Sequence, residues 1–79
     1  MKPFHLIITR IDGPLFSGEA LSVTLPGEAG EMTVLAQHEP LITRLKTGTI
    51  TVRTATDTQT FQVDSGVVEI ANSTVTVLL

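Results

Sequence analysis

The sequence predicts an all-β fold, a two-sheet β-sandwich or flattened barrel of about eight to ten short, mainly antiparallel strands. Three observations carry that reading. Thirteen Thr, eight Val and six Ile make 27 β-branched residues among 79, and such side chains lose rotamer freedom in a helix but suit a pleated surface. Apolar and polar residues alternate with a period of two in segment after segment. Gly, Pro, Asn and Asp break the alternation at intervals of roughly eight residues, the rhythm of hairpins.

Each element follows from the same signals. Phe4 to Ile11 reads as a first strand, apolar on both faces at Leu6, Ile7 and Ile8, and Asp12-Gly13-Pro14 turns the chain. Leu15-Phe16 is a short second element ending at Ser17-Gly18. Glu19 to Leu25 alternates, with Leu21, Val23 and Leu25 pointing inward, and a turn lies between Pro26-Gly27 and Gly30. Glu31 to Leu35 is a strand with Met32 and Val34 on one face. The polar stretch Ala36 to Pro40 is a loop, because Pro40 biases Glu39 away from helical angles. Leu41 to Lys46 is extended, with Leu41 and Leu45 inward, and after Gly48 the segment Thr49 to Thr56 alternates around Ile50 and Val52. Asp57-Thr58 is a hairpin turn into Gln59 to Val63, where Phe61 and Val63 face inward, as Phe16 does earlier. Asp64-Ser65-Gly66 leads to Val67 to Ala71, and Asn72-Ser73 to the last strand, Thr74 to Leu79.

Composition narrows function by exclusion. Five Lys and Arg against eight Asp and Glu give a net charge of −3, so the clustered positive charge that nucleic acid requires is missing. Without Cys there are neither disulfides nor thiolate metal sites. No run of about 18 apolar residues is present to cross a bilayer, and the start Met1 to His5 lacks the features of a signal peptide. A cytoplasmic protein of one domain, residues 1–79, is the expectation.

Chemistry finds little footing. His5 and His38 are the two histidines, and none of Ser17, Ser22, Ser65 and Ser73 sits in a nucleophile-elbow pattern. His38-Glu39 falls short of the three or four convergent ligands of a metal site. Asn72-Ser73-Thr74 fits a glycosylation sequon but reads better as a turn. Pro26 to Gly30 has two glycines but no Lys for a phosphate loop. No cofactor is expected. The segment Gly30 to Leu45 concentrates polar residues around a Pro-fixed loop, which on a rigid sandwich suits an interaction element.

Read in order, several blocks resemble one family. They are Leu15-Phe16-Ser17-Gly18-Glu19-Ala20, Leu25-Pro26-Gly27, Gly30 to Leu35, His38-x-Pro40-Leu41, Leu45-Lys46-x-Gly48 and Asn72-x-x-Val75-Thr76-Val77-Leu78. The family is the epsilon subunit of the rotary proton-translocating ATP synthase, in its N-terminal β-sandwich domain. The resemblance implies a non-catalytic central-stalk subunit that binds the foot of the gamma subunit and rests on the c-ring. Its place would be peripheral, on the cytoplasmic side of the bacterial inner membrane, and the isolated domain would be monomeric. Carried over position by position, Glu31 is implied to meet the c-ring, and Arg10, His38 and Thr43 to face gamma. The C-terminal helical hairpin of longer members is absent from these residues. Thr33 and Ala36-Gln37 depart from the family's usual Gly and Pro-Gly or Pro-Asn, so altered backbone angles are expected in that loop. A stand-alone ligand-binding sandwich is the alternative, and an enzyme a further one. Carbohydrate sites favour exposed aromatics, however, and this chain has three Phe, no Trp and no Tyr.

Overall fold

A computed structural model describes residues 2–79. Among the described residues nine strands follow one another: β1 (Phe4–Arg10), β2 (Gly13–Ala20), β3 (Ser22–Gly27), β4 (Gly30–Val34), β5 (Leu41–Leu45), β6 (Gly48–Arg53), β7 (Thr58–Val63), β8 (Gly66–Ala71) and β9 (Thr74–Leu78). They form one hydrogen-bonded sheet in the order β2-β1-β9-β8-β5-β3-β6-β7, with β4 added beside β3. The sheet folds over on itself into two layers. One layer is β2-β1-β9-β8-β5 and the other is β4-β3-β6-β7, and a single residue pair, Gly27 with Leu45, carries the ladder from one to the other. All neighbours are antiparallel except β1 and β9.

The inward side chains of both layers make one core. Leu6, Ile8, Val68, Val75 and Val77 from the first layer meet Val23, Leu25, Val34, Ile50 and Val52 from the second, all but wholly buried. The smallest dimension of the molecule is 19 Å, which fits two sheets about 10 Å apart with outward side chains on both sides. Among the described residues no buried side-chain nitrogen or oxygen lacks a hydrogen-bond partner.

Two expectations need correction. The second element is not a short piece but the longest strand, and it bulges: Ile8 pairs with Phe16 and Thr9 with Pro14, so Leu15 has no partner in the β1–β2 ladder. The alternation from Glu19 to Leu25 is not one strand. It breaks at Leu21, whose N–H donates to the Arg53 carbonyl oxygen at 2.7 Å as the chain leaves the first layer for the second. Inward residues on either side of the break are Ala20 and Val23, an odd spacing that flips the face and leaves Ser22 buried and Leu21 half-buried. Phe16 and Phe61 do face inward, half-buried and packed against the core from its rim.

The turns follow their residues. Asn72 and Ser73 have φ of 52° and 63°, the two left-handed residues of a type I′ hairpin between Ala71 and Thr74. Gln37 also lies at positive φ, 66°. The loop therefore uses at Gln37 the left-handed conformation that Gly or Asn adopts more cheaply, and the strain falls on a longer side chain.

Candidate interaction face

The outward residues of the two layers differ in kind. Across the second layer Thr33, Thr24, Thr51 and Thr60 stand in one rank over β4, β3, β6 and β7. Thr24 and Thr33 share a hydrogen bond between their hydroxyls at 3.1 Å. Gln62 donates its side-chain amide to the Thr49 hydroxyl at 2.9 Å. Such a face meets water on equal terms.

The first layer presents apolar groups instead. Ile42 is 68% exposed, Leu78 53% and Val67 37%. Val67 and Leu78 are direct cross-strand partners, Ile42 is paired with Glu69, and half-buried Ile7 with Thr76. Ile7, Leu78, Val67 and Ile42 thus make an arc over β1, β9, β8 and β5, with Leu78 and Val67 on one cross-strand row and Ile7 and Ile42 on the adjoining outward row. Arg44, opposite Val67, and Glu69 put charge among them. Ile11, fully exposed on the β1–β2 turn, stands just beyond the end of the same layer. Contiguous apolar groups rimmed by charge mark a protein-binding surface.

Sequence reasoning looked elsewhere for contacts, and the four residues it selected are not gathered in one place. Glu31 is exposed near the start of β4, opposite Pro26, beside the β3–β4 hairpin. Arg10 is exposed at the end of β1 and lines an open cleft of about 300 Å³ with Gln62, Val63, Asp64, Ser65 and Leu79. His38 lies in the loop at the far end of β4 from Glu31, and its ring Nδ1 is 2.8 Å from the Glu39 carbonyl oxygen. Thr43 is half-buried and opposite Val68, on the inward side of β5, so it is the neighbouring Ile42 and Arg44 that face outward.

The apolar face had a sequence signal. A strand with one wet face should alternate, yet Ile7-Ile8, Leu41-Ile42, Val67-Val68 and Leu78-Leu79 are apolar doublets. Within each doublet one residue faces the core, and its neighbour is left outside. Among the described residues no three His, Cys, Asp or Glu side chains converge as a metal site would need, and no helix is long and apolar enough to cross a membrane.

Comparison with known proteins places this geometry in context. Residues 3–79 match the family described as the ATP synthase, Delta/Epsilon chain, beta-sandwich domain. The ATP synthase epsilon chain of Polaromonas naphthalenivorans is 40% identical over 79 residues, which are 99% of this chain and 57% of that protein. That of Sulfurimonas denitrificans is 42% identical over 80 residues, covering all of this chain and 62% of that protein. The chain thus spans somewhat more than half the length of these relatives. The fold recurs in a chain of the Euglena gracilis mitochondrial ATP synthase structure, with a TM-score of 0.89, 24% identity, and coverage of 96% of this chain and 49% of that one. It recurs again in the central stalk and c-ring structure of the Tetrahymena thermophila mitochondrial enzyme, with a TM-score of 0.82, 11% identity, and coverage of 94% and 60%. A sandwich of this topology, matched by the family over all but its first two residues, belongs to the β-sandwich domain family of ATP synthase delta and epsilon chains.

Proposed function

We propose that this chain is the sandwich domain of an epsilon subunit in a rotary ATP synthase. It works in the central stalk as a non-catalytic coupling element, docked on the foot of gamma and resting on the c-ring. Its place is peripheral, on the cytoplasmic side of the bacterial inner membrane. Family membership supports the assembly, and the observation that carries the docking role is the exposed apolar patch of Ile42, Val67 and Leu78. A rotor element must hold its partner through many turns under load. Apolar contact over a stiff sheet suits that task, since burial is favourable at roughly 25 cal/mol per Å² and needs no single side-chain geometry. Arg44 and Glu69 would fix orientation, charges contributing more to register than to affinity. In this reading Glu31 meets a basic loop of the c-ring at the hairpin end, Arg10 and His38 lie towards gamma, and Thr43, on the inward side of β5, acts through its outward neighbours Ile42 and Arg44.

The test is co-purification with cognate gamma. A one-to-one complex with affinity well below about 1 μM is expected. Ile42→Asp should weaken it at least about tenfold, the loss of about 1.4 kcal/mol, while leaving the domain folded. A domain that stays free beside folded gamma at tens of micromolar, or an Ile42→Asp variant that binds as well as the parent, would overturn the reading.

A further inference from the structure

Sheet edges expose unpaired N–H and C=O groups that can template another strand, so proteins pair, cover or blunt them. The sheet here has three edges, β2, β4 and β7. β2 is blunted by Pro14, by its bulge at Leu15 and by exposed Glu19. β4 is only five residues long and carries Glu31. β7 has none of these devices. Its sequence, Thr58-Gln59-Thr60-Phe61-Gln62-Val63, contains no charge, no Pro and no Gly. Its six pairs with β6 run in unbroken register from Thr58–Arg53 to Val63–Gly48.

We propose that the free edge of β7 pairs with β7 of a second copy of this chain, antiparallel about a twofold axis at Phe61. The register follows from the pleat. Opposed residues must share a face, so the axis passes through a residue position rather than between two. Placed at Phe61, it sets the two half-buried rings against each other at the rim of the joined cores, where an aromatic pair across strands is favourable. On the outer face the same register opposes Thr60 to Gln62, and Thr58 to Asp64, the residue that directly follows the strand. Thr58 is itself paired with Arg53 on β6. Arg53 therefore comes within two strand spacings, about 10 Å between Cα atoms, of Asp64 of the second copy, a gap that an extended arginine spans. Symmetry repeats this opposite-charge pair on the other side of the axis. No like charges are brought together in the strand. This complementarity singles out a second copy as the occupant of the edge.

The contact is small, well below the area of about 1,200 Å² typical of stable complexes, so association is weak. The domain is monomeric at micromolar concentration and dimerises on the order of 1 mM. The inference stands apart from the docking role, because β7 lies in the other layer from the apolar face.

Sedimentation equilibrium and diffusion NMR on the 79-residue chain, from about 0.02 to 2 mM to bracket that range, provide the test. The mass should rise towards the dimer, with amide shifts confined to residues 58–64 and isotope-filtered contacts between Phe61 rings of two copies. Asp64→Arg and Arg53→Asp should each weaken association about three- to tenfold, since each breaks both symmetric exposed pairs. Both side chains are exposed, so folding is unaffected, and combining the two reversals should restore the dimer. A chain that remains monomeric at the top concentration overturns the proposal. So do shifts mapping to β2, β4 or the apolar outer face, a dimer indifferent to both reversals, or a double variant weaker than either single one.

Discussion

Gly27 is the point at which the two layers share backbone, and replacing it by Ala tests whether that junction is as tight as it looks. Its strand is paired on both sides there, with Gly30 across the β3–β4 hairpin and with Leu45 of β5. The flanking bonds are short: Lys46 N–H to the Pro26 oxygen and Glu28 N–H to the Arg44 oxygen, each 2.9 Å between heavy atoms. A methyl group on Gly27 would stand 2.7 Å from the Gly30 carbonyl oxygen, against 3.4 Å and beyond for ordinary contact. The obstacle is main chain held in a tight hairpin, so it cannot swing aside as a side chain would. Overpacking of this kind costs about 1–3 kcal/mol, and one strained backbone hydrogen bond adds about 0.5–1.5 kcal/mol. Removing a glycine from the unfolded chain returns about 0.4–1 kcal/mol. The net expectation is a loss of about 2 kcal/mol. At about 4–8 °C per kcal/mol for a domain of this size, Tm falls by roughly 8–16 °C. Urea and thermal unfolding followed by circular dichroism would measure it. Gly18→Ala is the matched control, because its added methyl meets only the Phe16 ring at 3.9 Å; it should stay within about 0.5 kcal/mol of the parent after the glycine correction. If Gly27→Ala lies within that range too, or if the control costs as much, the tight corner is refuted.

Other outcomes follow from the same coordinates. Leu25→Ala, at a wholly buried position, should cost about 2–5 kcal/mol in urea unfolding, enough to unfold much of the population at 37 °C. Ser73→Gly should stabilise by about 0.5 kcal/mol, since a left-handed serine costs about 1–2 kcal/mol and the added unfolded-state freedom of glycine takes back about 0.4–1; a lower urea midpoint would contradict the turn assignment. Glu31→Ala should leave stability within about 0.5 kcal/mol of the parent. In the assembled enzyme it should reduce proton-pumping coupling only partly, an exposed ion pair being worth about 0–1 kcal/mol.

The strands were legible because Thr, Val and Ile write the pleat directly into the chain, and the turns because Asn, Asp, Ser and Gly, as in Asn72-Ser73 and Asp64-Ser65-Gly66, accept the backbone angles that a turn needs. Less legible was the passage between layers at Leu21. No Gly or Pro marks it, and the face flips by a one-residue offset that leaves apolar Leu21 still in step with Val23 and Leu25. Pro14 and Leu15 hid a bulge for a similar reason, since the alternation merely looks short there. Arg10, Glu31 and His38 were singled out by the family resemblance, and all three side chains are exposed. Thr43 was legible as an inward position, two residues from Leu41 and from Leu45, and its place opposite buried Val68 agrees. The apolar surface itself draws on β1, β5 and the β8–β9 hairpin, three stretches far apart in the chain, and only their neighbourhood in the sheet makes it one patch.

The parallel pairing of β1 with β9 governs how this chain can fold. His5 to Thr9 lie beside Thr74 to Leu78, with the Leu79 N–H donating to the Thr9 carbonyl oxygen at 2.9 Å. During synthesis β1 therefore lacks one neighbour until Leu78 has emerged, and the residues between them must be closed into one long loop to supply it. Contacts of such long range slow the search to milliseconds or seconds. Through synthesis, Leu6 and Ile8 wait uncovered on an open edge, which makes the nascent chain a natural client for chaperones. Because the two strands run the same way, residue 3 lies beside the start of β9 and residue 79 beside the end of β1. The two positions therefore stand a full strand length apart, roughly 20 Å at about 3.3 Å per residue, and a linker joining them would have to cross the sheet.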